Sequence, residues 1–280
     1  MTITTEGLTE ADFGRLRRLI YTESGISLGS DKRTMLEVRL RRRLRGLSFS
    51  SCSEYCDYLF SHGAERDELV HLIDAVTTNK TDFFREPGHF EYLTRSALPE
   101  LSRRKGLLRK FQFWSAGCST GEEPYTLAMV LSEYVRTCAD FRFGILATDI
   151  CTEVLAKASL GVFKSSLAHP VPAEFRKKYF MRSRDPKSDL LRVVPELRAL
   201  VEFRRLNFMD PDFGLAEPLD IIFCRNVIIY FDRSTQVRLL EKLTRQLAAG
   251  GYFFAGHSES LQGMDLPLTP VAPSVYRKCL

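Results

Sequence analysis

The spacing of apolar residues divides the chain into two parts near residue 75. In the first part, apolar positions recur with the period of a helix, as in the stripe at i, i+4, i+8 and i+11 formed by Leu36, Leu40, Leu44 and Leu47. Thr9, followed by Asp12, predicts the N-cap of a helix that runs through Ile20. SSCSEYCDYLF and RDELVHLIDAV predict further helices, so residues 1–75 are expected to form an all-α N-terminal domain.

From residue 76 onward, short aromatic or β-branched runs alternate with helical patterns. Alternation of this kind predicts an α/β domain, with a mostly parallel sheet covered by helices on both faces. The expected strands are FQFWSAG (111–117), FRFGILATD (141–149), VEFRRLNF (201–208), LDIIFCRN (219–226) and GYFFAGHS (251–258).

One segment of this second domain, residues 76–280, breaks the alternation. Between about Gly161 and Leu200, the runs YFMRS, LLRVV and ALVEF are separated by RDPKSD and PELR. Short strands with turn-rich connections predict a small antiparallel β-subdomain, inserted at about residues 161–205. The terminal VYRKC is predicted to form a last edge strand.

Composition narrows the class of protein. The chain has 280 residues, 44% apolar and 27% charged, which is typical of a folded protein, and no apolar run is long enough to span a bilayer. Its seven cysteines form no CxxC pair, which argues against a disulfide framework or a structural zinc site. The N-terminal residues lack the pattern of a signal peptide. We therefore expect a cytoplasmic protein with no metal and no membrane insertion.

Charge is segregated although the net charge is only +5. Between Lys32 and Arg45 there are seven basic residues and one acid, Glu37. Such a helix is either a solvated face or a docking surface for an acidic partner, and the pattern alone does not decide between them.

The turn after the first strand, WSAGCSTGEEPYTLA, predicts a ligand site. Gly117 and Gly121 follow the strand, a helix opens near Pro124, and the crevice beyond such a strand is the usual ligand site of an α/β sheet. Neither GxGxxG nor GxxxxGK[ST] is present, which disfavours a pyrophosphate or a triphosphate. Glu122 and Glu123 would repel phosphate and attract an ammonium or sulfonium group, unless they only complement the helix dipole.

Asp149 ends the second predicted strand. An acid at this position accepts hydrogen bonds from ribose hydroxyls, although it can also simply cap the next helix. Together with the acidic turn, Asp149 favours a nucleoside that carries a positive charge at the end opposite its base. S-adenosylmethionine fits this description.

Four separated motifs now resemble a known family. TTNKTDFFRE (77–86), WSAGCSTGEEPYT (114–126), FCRNVIIYFD (223–232) and AGHSES (255–260) are similar, in this order, to the CheR family of chemotaxis receptor glutamate methyltransferases. The resemblance implies a Rossmann-like S-adenosylmethionine-dependent methyltransferase domain with an inserted antiparallel β-subdomain, preceded by an all-α domain. It also implies that S-adenosylhomocysteine is the product.

The resemblance also implies roles for individual residues. Glu122, the first acid of the GEE turn, would bind the cofactor's amino-acid end, Asp149 would hold the ribose, and the Asn207 amide would read an edge of the adenine. Apart from the resemblance, Arg103 or Arg104 and Tyr230 are candidates for the substrate side, where a tyrosine hydroxyl would orient a carboxylate. The full set of expected cofactor contacts is Asn79, Thr81, Arg85, Glu122, Asp149, Asn207, Phe208, Arg225 and Asn226.

The implied reaction forms glutamyl γ-methyl esters on chemotaxis receptors. Arg39, Arg42 and Arg43 would dock the receptor's cytoplasmic helical bundle, and the inserted strands would take up a receptor C-terminal peptide, with the enzyme acting as a monomer. GHSES is predicted to be a strand end and turn rather than a catalytic triad. Two alternatives stay open: a nucleic-acid methyltransferase, although the [DN]PP[YFW] motif is absent, and a non-catalytic S-adenosylmethionine-binding module.

Overall fold

The computed structural model describes residues 7–47, 49–61, 66–105, 110–185 and 187–279. Its N-terminal part is helical, as predicted, and its apolar faces pack into one core. Thr9 caps the first helix by accepting a hydrogen bond from the Asp12 backbone N–H, and the helix continues beyond Ile20 until Gly25 ends it. The helices are α1 (Glu10–Ser24), α2 (Arg33–Leu44), α3 (Cys52–Ser61) and α4 (Arg66–Val76). The domain boundary between residues 75 and 76 stays a prediction.

The second part alternates strands and helices. A π-helical turn at Leu93–Ala97 joins α5 to α6 without a break. The elements are α5 (Gly88–Tyr92), α6 (Leu98–Lys105), β1 (Lys110–Ala116), α7 (Glu122–Thr137), β2 (Arg142–Asp149), α8 (Thr152–Leu160), β3 (Val162–Lys164), α9 (Ala173–Tyr179), β4 (Phe180–Arg182), β5 (Leu190–Val193), α10 (Pro195–Arg198), β6 (Val201–Arg205), β7 (Leu219–Cys224), α11 (Arg233–Gln246), β8 (Leu247–Ala255), β9 (Leu268–Ala272) and β10 (Val275–Lys278).

The main sheet has the strand order β6-β2-β1-β7-β8-β10-β9. The first five strands are mutually parallel, which confirms the predicted α/β class. The prediction that VYRKC forms the edge is wrong, because β10 pairs with both β8 and β9. The edge strand β9 lies in the proline-rich run PLTPVAP, and proline is tolerated in a strand at a sheet edge.

The inserted antiparallel subdomain is confirmed, with the strand order β3-β5-β4. Assigning ALVEF to it is wrong, since Val201–Arg205 pairs in parallel with β2 in the main sheet. The third strand of the subdomain is β3, whose three residues are too few to give a periodic signal.

Both faces of the main sheet are covered, which explains why its strands are apolar without alternation. Along β1, Phe111 and Phe113 pack into the core on the side of α7, whereas Trp114 packs on the other side with Leu239 and Leu243 of α11. None of the described helices is both long and apolar enough to cross a membrane. The two cores hold the strands rigidly, so the strand ends are fixed positions for functional side chains.

Candidate active site

A cavity of about 280 Å³ lies at the carboxyl ends of four neighbouring strands. Ser119 lines it after β1, Asp149 at the end of β2, Asn207 after β6 and Arg225 after β7. This edge is the usual ligand position in a parallel α/β sheet. The predicted crevice beyond the first strand is therefore part of a larger chamber.

The N-terminal domain supplies one wall of this cavity. The loop between α1 and α2 is bonded to the sheet edge: the Asn207 amide donates to the Glu23 carbonyl at 2.6 Å, and the Ser27 N–H donates to the Tyr230 carbonyl at 2.9 Å. The wall residues are Ser24, Ile26, Ser27, Leu28, Lys32 and Met35. None of these residues was predicted from the sequence to lie at the site.

The turn after β1 requires glycine at Gly117. Its φ is +86°, and a Cβ on it would lie 2.5 Å from Cγ2 of Val227. Both the left-handed backbone and this close approach disfavour a side chain. The turn after β1 is thereby packed directly against the loop after β7.

Asp149 is held in place by backbone groups. Its carboxylate accepts hydrogen bonds from the Ser119 N–H at 2.8 Å and the Cys151 N–H at 3.0 Å. Burial raises the pKa of Asp149, and the backbone donors offset part of that effect. Two carboxylate oxygens have about four acceptor positions, so Asp149 retains capacity for hydroxyl groups in the cavity.

The two acids of the GEE turn occupy different environments. The helix begins at Glu122 instead of near Pro124, and the Glu122 carboxylate accepts a hydrogen bond from the Thr120 hydroxyl and does not line the cavity. Glu123 does line the cavity and accepts from the Ser115 hydroxyl at 2.7 Å. The second acid of the turn, and not the predicted Glu122, therefore lines the cavity; a cofactor contact of Glu122 stays a prediction.

Arg225, on the cavity floor, connects two largely buried carboxylates. Its guanidinium donates to Glu123 at 3.0 Å and to Glu86 at 3.0 Å, and it also bonds the Arg85 carbonyl. Burial raises the pKa of Glu123, and Arg225 offsets only part of this. Burial works in the same sense on Glu86, but there Arg225 prevails and holds the pKa of Glu86 below its usual value.

Most of the other predicted contacts also line the cavity, namely Asn79, Thr81, Arg85, Phe208 and Asn226. Asn207 lines it as well, but its amide already donates to the Glu23 carbonyl and accepts from the Met209 N–H. One N–H and one lone pair of that amide therefore remain for a base edge. Phe208 packs with Phe213 and Phe231, so it belongs to the core and to the cavity wall at once.

The substrate-side candidates lie at opposite ends of the strands of the main sheet. Tyr230 lines the cavity at the end of a short 3₁₀ turn, Ile228–Tyr230. Arg103 is exposed near the end of α6, and the adjacent Arg104 bonds the Gly250 carbonyl near the start of β8. Arg103 does not line the cavity, because α6 precedes β1 and lies near the amino ends of the strands; its role on the substrate side stays a prediction.

The basic helix α2 is less exposed than the sequence suggested. Arg43 forms a bidentate ion pair with the buried Glu68, at 2.7 and 3.2 Å, and Arg39 bonds the Thr77 carbonyl and the Thr78 hydroxyl at 2.9 Å. Arg42 is exposed. Of the three predicted docking residues, Arg42 is exposed, whereas Arg43 holds α2 to α4 and Arg39 holds α2 to the segment that follows α4.

Glu86, His89 and His257 bring three possible metal-ligand atoms within 4.8 Å of one another. Both carboxylate oxygens of Glu86 already accept hydrogen bonds, from Arg225 and from the His257 N–H, and the guanidinium beside them would repel a cation. Burial and Arg225 lower the pKa of His89 to about 4, so it is neutral at pH 7. We interpret Glu86 as an acceptor for Arg225 and for the His257 N–H rather than as a metal ligand, whereas the two ring nitrogens of the buried His89 have no hydrogen-bond partner among the described residues.

Two acids at or near the cavity were not predicted from the sequence. Glu86 and Glu259 were inside quoted motifs, TTNKTDFFRE and AGHSES, but received no role. Glu123 was expected, together with Glu122, to attract a cationic group, but it was not among the predicted cofactor contacts. The motifs themselves were the available signal; which carboxylate turns toward a ligand depends on helix phase and on long-range pairs such as Glu123 with Arg225.

Comparisons with known proteins agree with this geometry. A family model described as "CheR methyltransferase, SAM binding domain" matches residues 79–275, and one described as "CheR methyltransferase, all-alpha domain" matches residues 11–77. Chemotaxis protein methyltransferase 2 of Pseudomonas aeruginosa is 42% identical over 268 residues, covering 96% of this chain and 93% of that protein. The chemotaxis protein methyltransferase of Escherichia coli is 39% identical over 269 residues, covering 96% of this chain and 91% of its own length. The chain therefore belongs to the CheR methyltransferase family.

Proposed function

We propose that this protein transfers a methyl group from S-adenosylmethionine to glutamate side chains of chemotaxis receptors, forming γ-methyl esters. The observation that supports this most directly is the cavity at the carboxyl ends of β1, β2, β6 and β7, in which Asp149, Glu123 and Arg225 present fixed charges. Its position within a domain that matches the S-adenosylmethionine-binding model of the family supports the same assignment.

The residues of the cavity fit the parts of this nucleoside. The free acceptor positions of Asp149 suit the ribose hydroxyls, and Phe208 offers an apolar wall for a base. Glu123 and Arg225 suit the ammonium and carboxylate groups of the amino-acid end. The bound molecule would supply a methyl group on a positively charged sulfur, which is the electrophile.

The substrate carboxylate needs no general base. A glutamate with a pKa near 4.3 is ionised at neutral pH and can attack directly. The work of the protein is then to orient this oxygen in line with the methyl group and to exclude water. Tyr230 lines the cavity and carries a hydroxyl that can donate a hydrogen bond to the incoming carboxylate.

The receptor bundle would dock on the exposed side of α2. Arg42 and Arg45 are exposed there, and Val38 is 63% exposed between them and the start of the helix. An acidic helical rod would gain electrostatic attraction from these arginines and apolar contact from the valine. The proposal thus keeps Arg42 from the predicted set and replaces Arg39 and Arg43 by Arg45.

The inserted subdomain would add a receptor C-terminal peptide as a further strand. β4 is an edge of the three-stranded sheet, and the groove beside it is lined by three basic residues, Arg176, Lys177 and Arg182, and by two acids, Asp185 and Asp189. A sheet edge supplies backbone hydrogen bonds, and basic side chains suit an acidic peptide. The proposal includes a monomeric enzyme that acts in the cytoplasm, where the methylated bundle of the receptor lies.

Transfer of tritiated methyl groups tests the proposed reaction. Receptor-containing membranes, transfer RNA and DNA would be incubated separately with the protein and labelled S-adenosylmethionine. We expect label on the receptor that is released as methanol in alkali, because esters hydrolyse and N-methyl groups do not. Alkali-stable label on nucleic acid would support a nucleic-acid methyltransferase, and cofactor binding without any label would support the non-catalytic module. Either result would contradict the proposal.

A further inference from the structure

Glu259, in the turn after β8, makes more backbone contacts than a turn residue requires. We propose that Glu259 is a positioning residue for methyl transfer: it holds the loop Arg225–Tyr230 in the shape that the cavity needs. This inference rests on the proposed function, since it assigns a role within the same site. Glu259 does not line the cavity, so it acts through the loop.

The Glu259 carboxylate accepts four backbone hydrogen bonds from two strand ends. One oxygen accepts from the N–H groups of Val227 at 2.7 Å and Ile228 at 2.8 Å. The other accepts from Asn226 at 2.8 Å and Gly256 at 2.6 Å. These bonds join the end of β7 to the end of β8 through one side chain.

Burying the Glu259 carboxylate costs free energy, which indicates that the arrangement has a specific role. Glu259 is only 5% exposed, and burial raises its pKa even though the four N–H donors favour the ionised form. Asn226 has a φ of +59°, in the left-handed region that asparagine adopts more readily than most residues with a side chain. Without the Glu259 carboxylate, the three consecutive N–H groups of residues 226 to 228 would have no acceptor. Buried donors without an acceptor are rare in folded proteins.

The clamped loop carries the chemistry of the cavity. Arg225 bonds Glu86 and Glu123, Asn226 lines the cavity floor, and Tyr230 ends the loop at the proposed substrate side. A loop of six residues with a carboxylate anchor in its middle has little freedom. The positions of the guanidinium and of the phenol are therefore both set relative to β8.

The close contact at Gly256 agrees with this role. A Cβ on Gly256 would lie 2.5 Å from Nδ2 of Asn226 and 2.8 Å from its backbone N. The two strand ends are thus as close as backbone allows, and Glu259 is the group that bridges them. AGHSES is a turn, as the sequence predicted, but its acid reaches back to the floor of the site.

The test is the isosteric variant Glu259→Gln, with Glu241→Gln on the exposed face of α11 as matched control. An amide keeps the volume, but its NH₂ group cannot accept, so two of the four N–H groups lose their acceptor. Hydrogen exchange of the amides of residues 226–228 and 256 should speed up in Glu259→Gln, while amides within β7 stay protected. We expect the cofactor Kd to rise about 10-fold or more and kcat to fall about 10- to 100-fold with little change in receptor KM, as misplacement without loss of docking predicts.

Several outcomes separate the possible failures. A folded Glu259→Gln variant with faster exchange at these amides but a cofactor Kd and a kcat within about twofold of wild type would overturn the inference. If wild-type protein binds no S-adenosylmethionine, the proposed function fails, and the exchange data still show whether Glu259 holds the loop. If Glu259→Gln does not fold, Gly256→Ala tests the same idea, because it displaces the loop and leaves the carboxylate; unchanged kinetics in that variant would overturn the inference.

Discussion

Replacing Arg225 with methionine removes the charge that two buried carboxylates share. The Arg225 side chain is 2% exposed, and those of Glu86 and Glu123 are 11% and 12% exposed. Methionine fills much of the same volume without a charge. In Arg225→Met, Glu123 keeps its bond from the Ser115 hydroxyl and Glu86 keeps that from the His257 N–H, but neither has a cation.

Breaking a buried ion pair from one side costs about 3–5 kcal/mol, because the remaining charge is desolvated without compensation. Since the hydrogen bonds to Ser115 and His257 remain, we expect the low end of that range, about 3 kcal/mol of unfolding free energy at pH 7.5. The exposed arginine Arg42 is the matched control: Arg42→Met should change stability by about 0.5 kcal/mol or less.

The loss of unfolding free energy in Arg225→Met should depend on pH in a defined direction. Burial already raises the pKa of Glu123, and loss of Arg225 removes a cation that lowers it. The folded variant therefore holds a proton on this carboxyl more tightly than the unfolded chain, and its stability rises as pH falls from neutrality toward the unfolded pKa near 4.3. The difference in unfolding free energy between wild type and Arg225→Met should shrink to below about 2 kcal/mol at pH 5.

Urea unfolding at both pH values measures this difference. The single tryptophan, Trp114, is fully buried in β1 and reports on the sheet. A second variant, Arg225→Met with Glu123→Gln, should recover about 1 kcal/mol or more at pH 7.5, because one unpaired charge is gone. A loss below about 1 kcal/mol at pH 7.5, or one that is the same at both pH values, would refute the reasoning.

Three further predictions concern binding, docking and turnover. Asp149→Asn should weaken S-adenosylmethionine binding about 10-fold or more in calorimetry, since an amide cannot accept from both its backbone donors and a ribose; an unchanged Kd would remove Asp149 from the site. Arg43→Met should lower the unfolding free energy by about 2–4 kcal/mol, because buried Glu68 loses its cation. Arg42→Glu should leave stability unchanged and slow receptor methylation most at low salt, which rate measurements between about 50 and 500 mM salt would show, because screening of exposed charges increases over this range. Tyr230→Phe should reduce kcat about 10-fold and leave the cofactor Kd unchanged; a change in Kd alone would assign the hydroxyl to the cofactor.

Much of the fold was predictable because it depends on local periodicity. The stripe of Leu36, Leu40 and Leu44 gave α2 its buried face, and the strand-helix alternation gave the parallel sheet. The errors came from elements without a period. β3 has three residues, and β9 lies among prolines that normally argue against a strand.

The site was predictable to the level of the motif but not of the atom. The role of Asp149 follows from its place at a strand end. Glu122 and Glu123 are neighbours in the sequence, and they are distinguished by the contacts of Glu123 with Ser115 and with the distant Arg225. Arg43 is a similar case. A charged residue is expected at the surface, but Arg43 forms an ion pair with the buried Glu68, 25 positions away. Pairing across such separations is a property of the packed structure.

The wall that the loop between α1 and α2 lends to the cavity has a thermodynamic consequence. This loop leads directly into α2, so a nucleoside under the loop and a receptor docked on the helix, as proposed, would contact one continuous segment of the chain. Linkage is reciprocal: any factor by which one ligand changes the affinity of the other is returned in equal measure. With the proposed docking, such coupling would pass through this loop, and separating the two domains would abolish it.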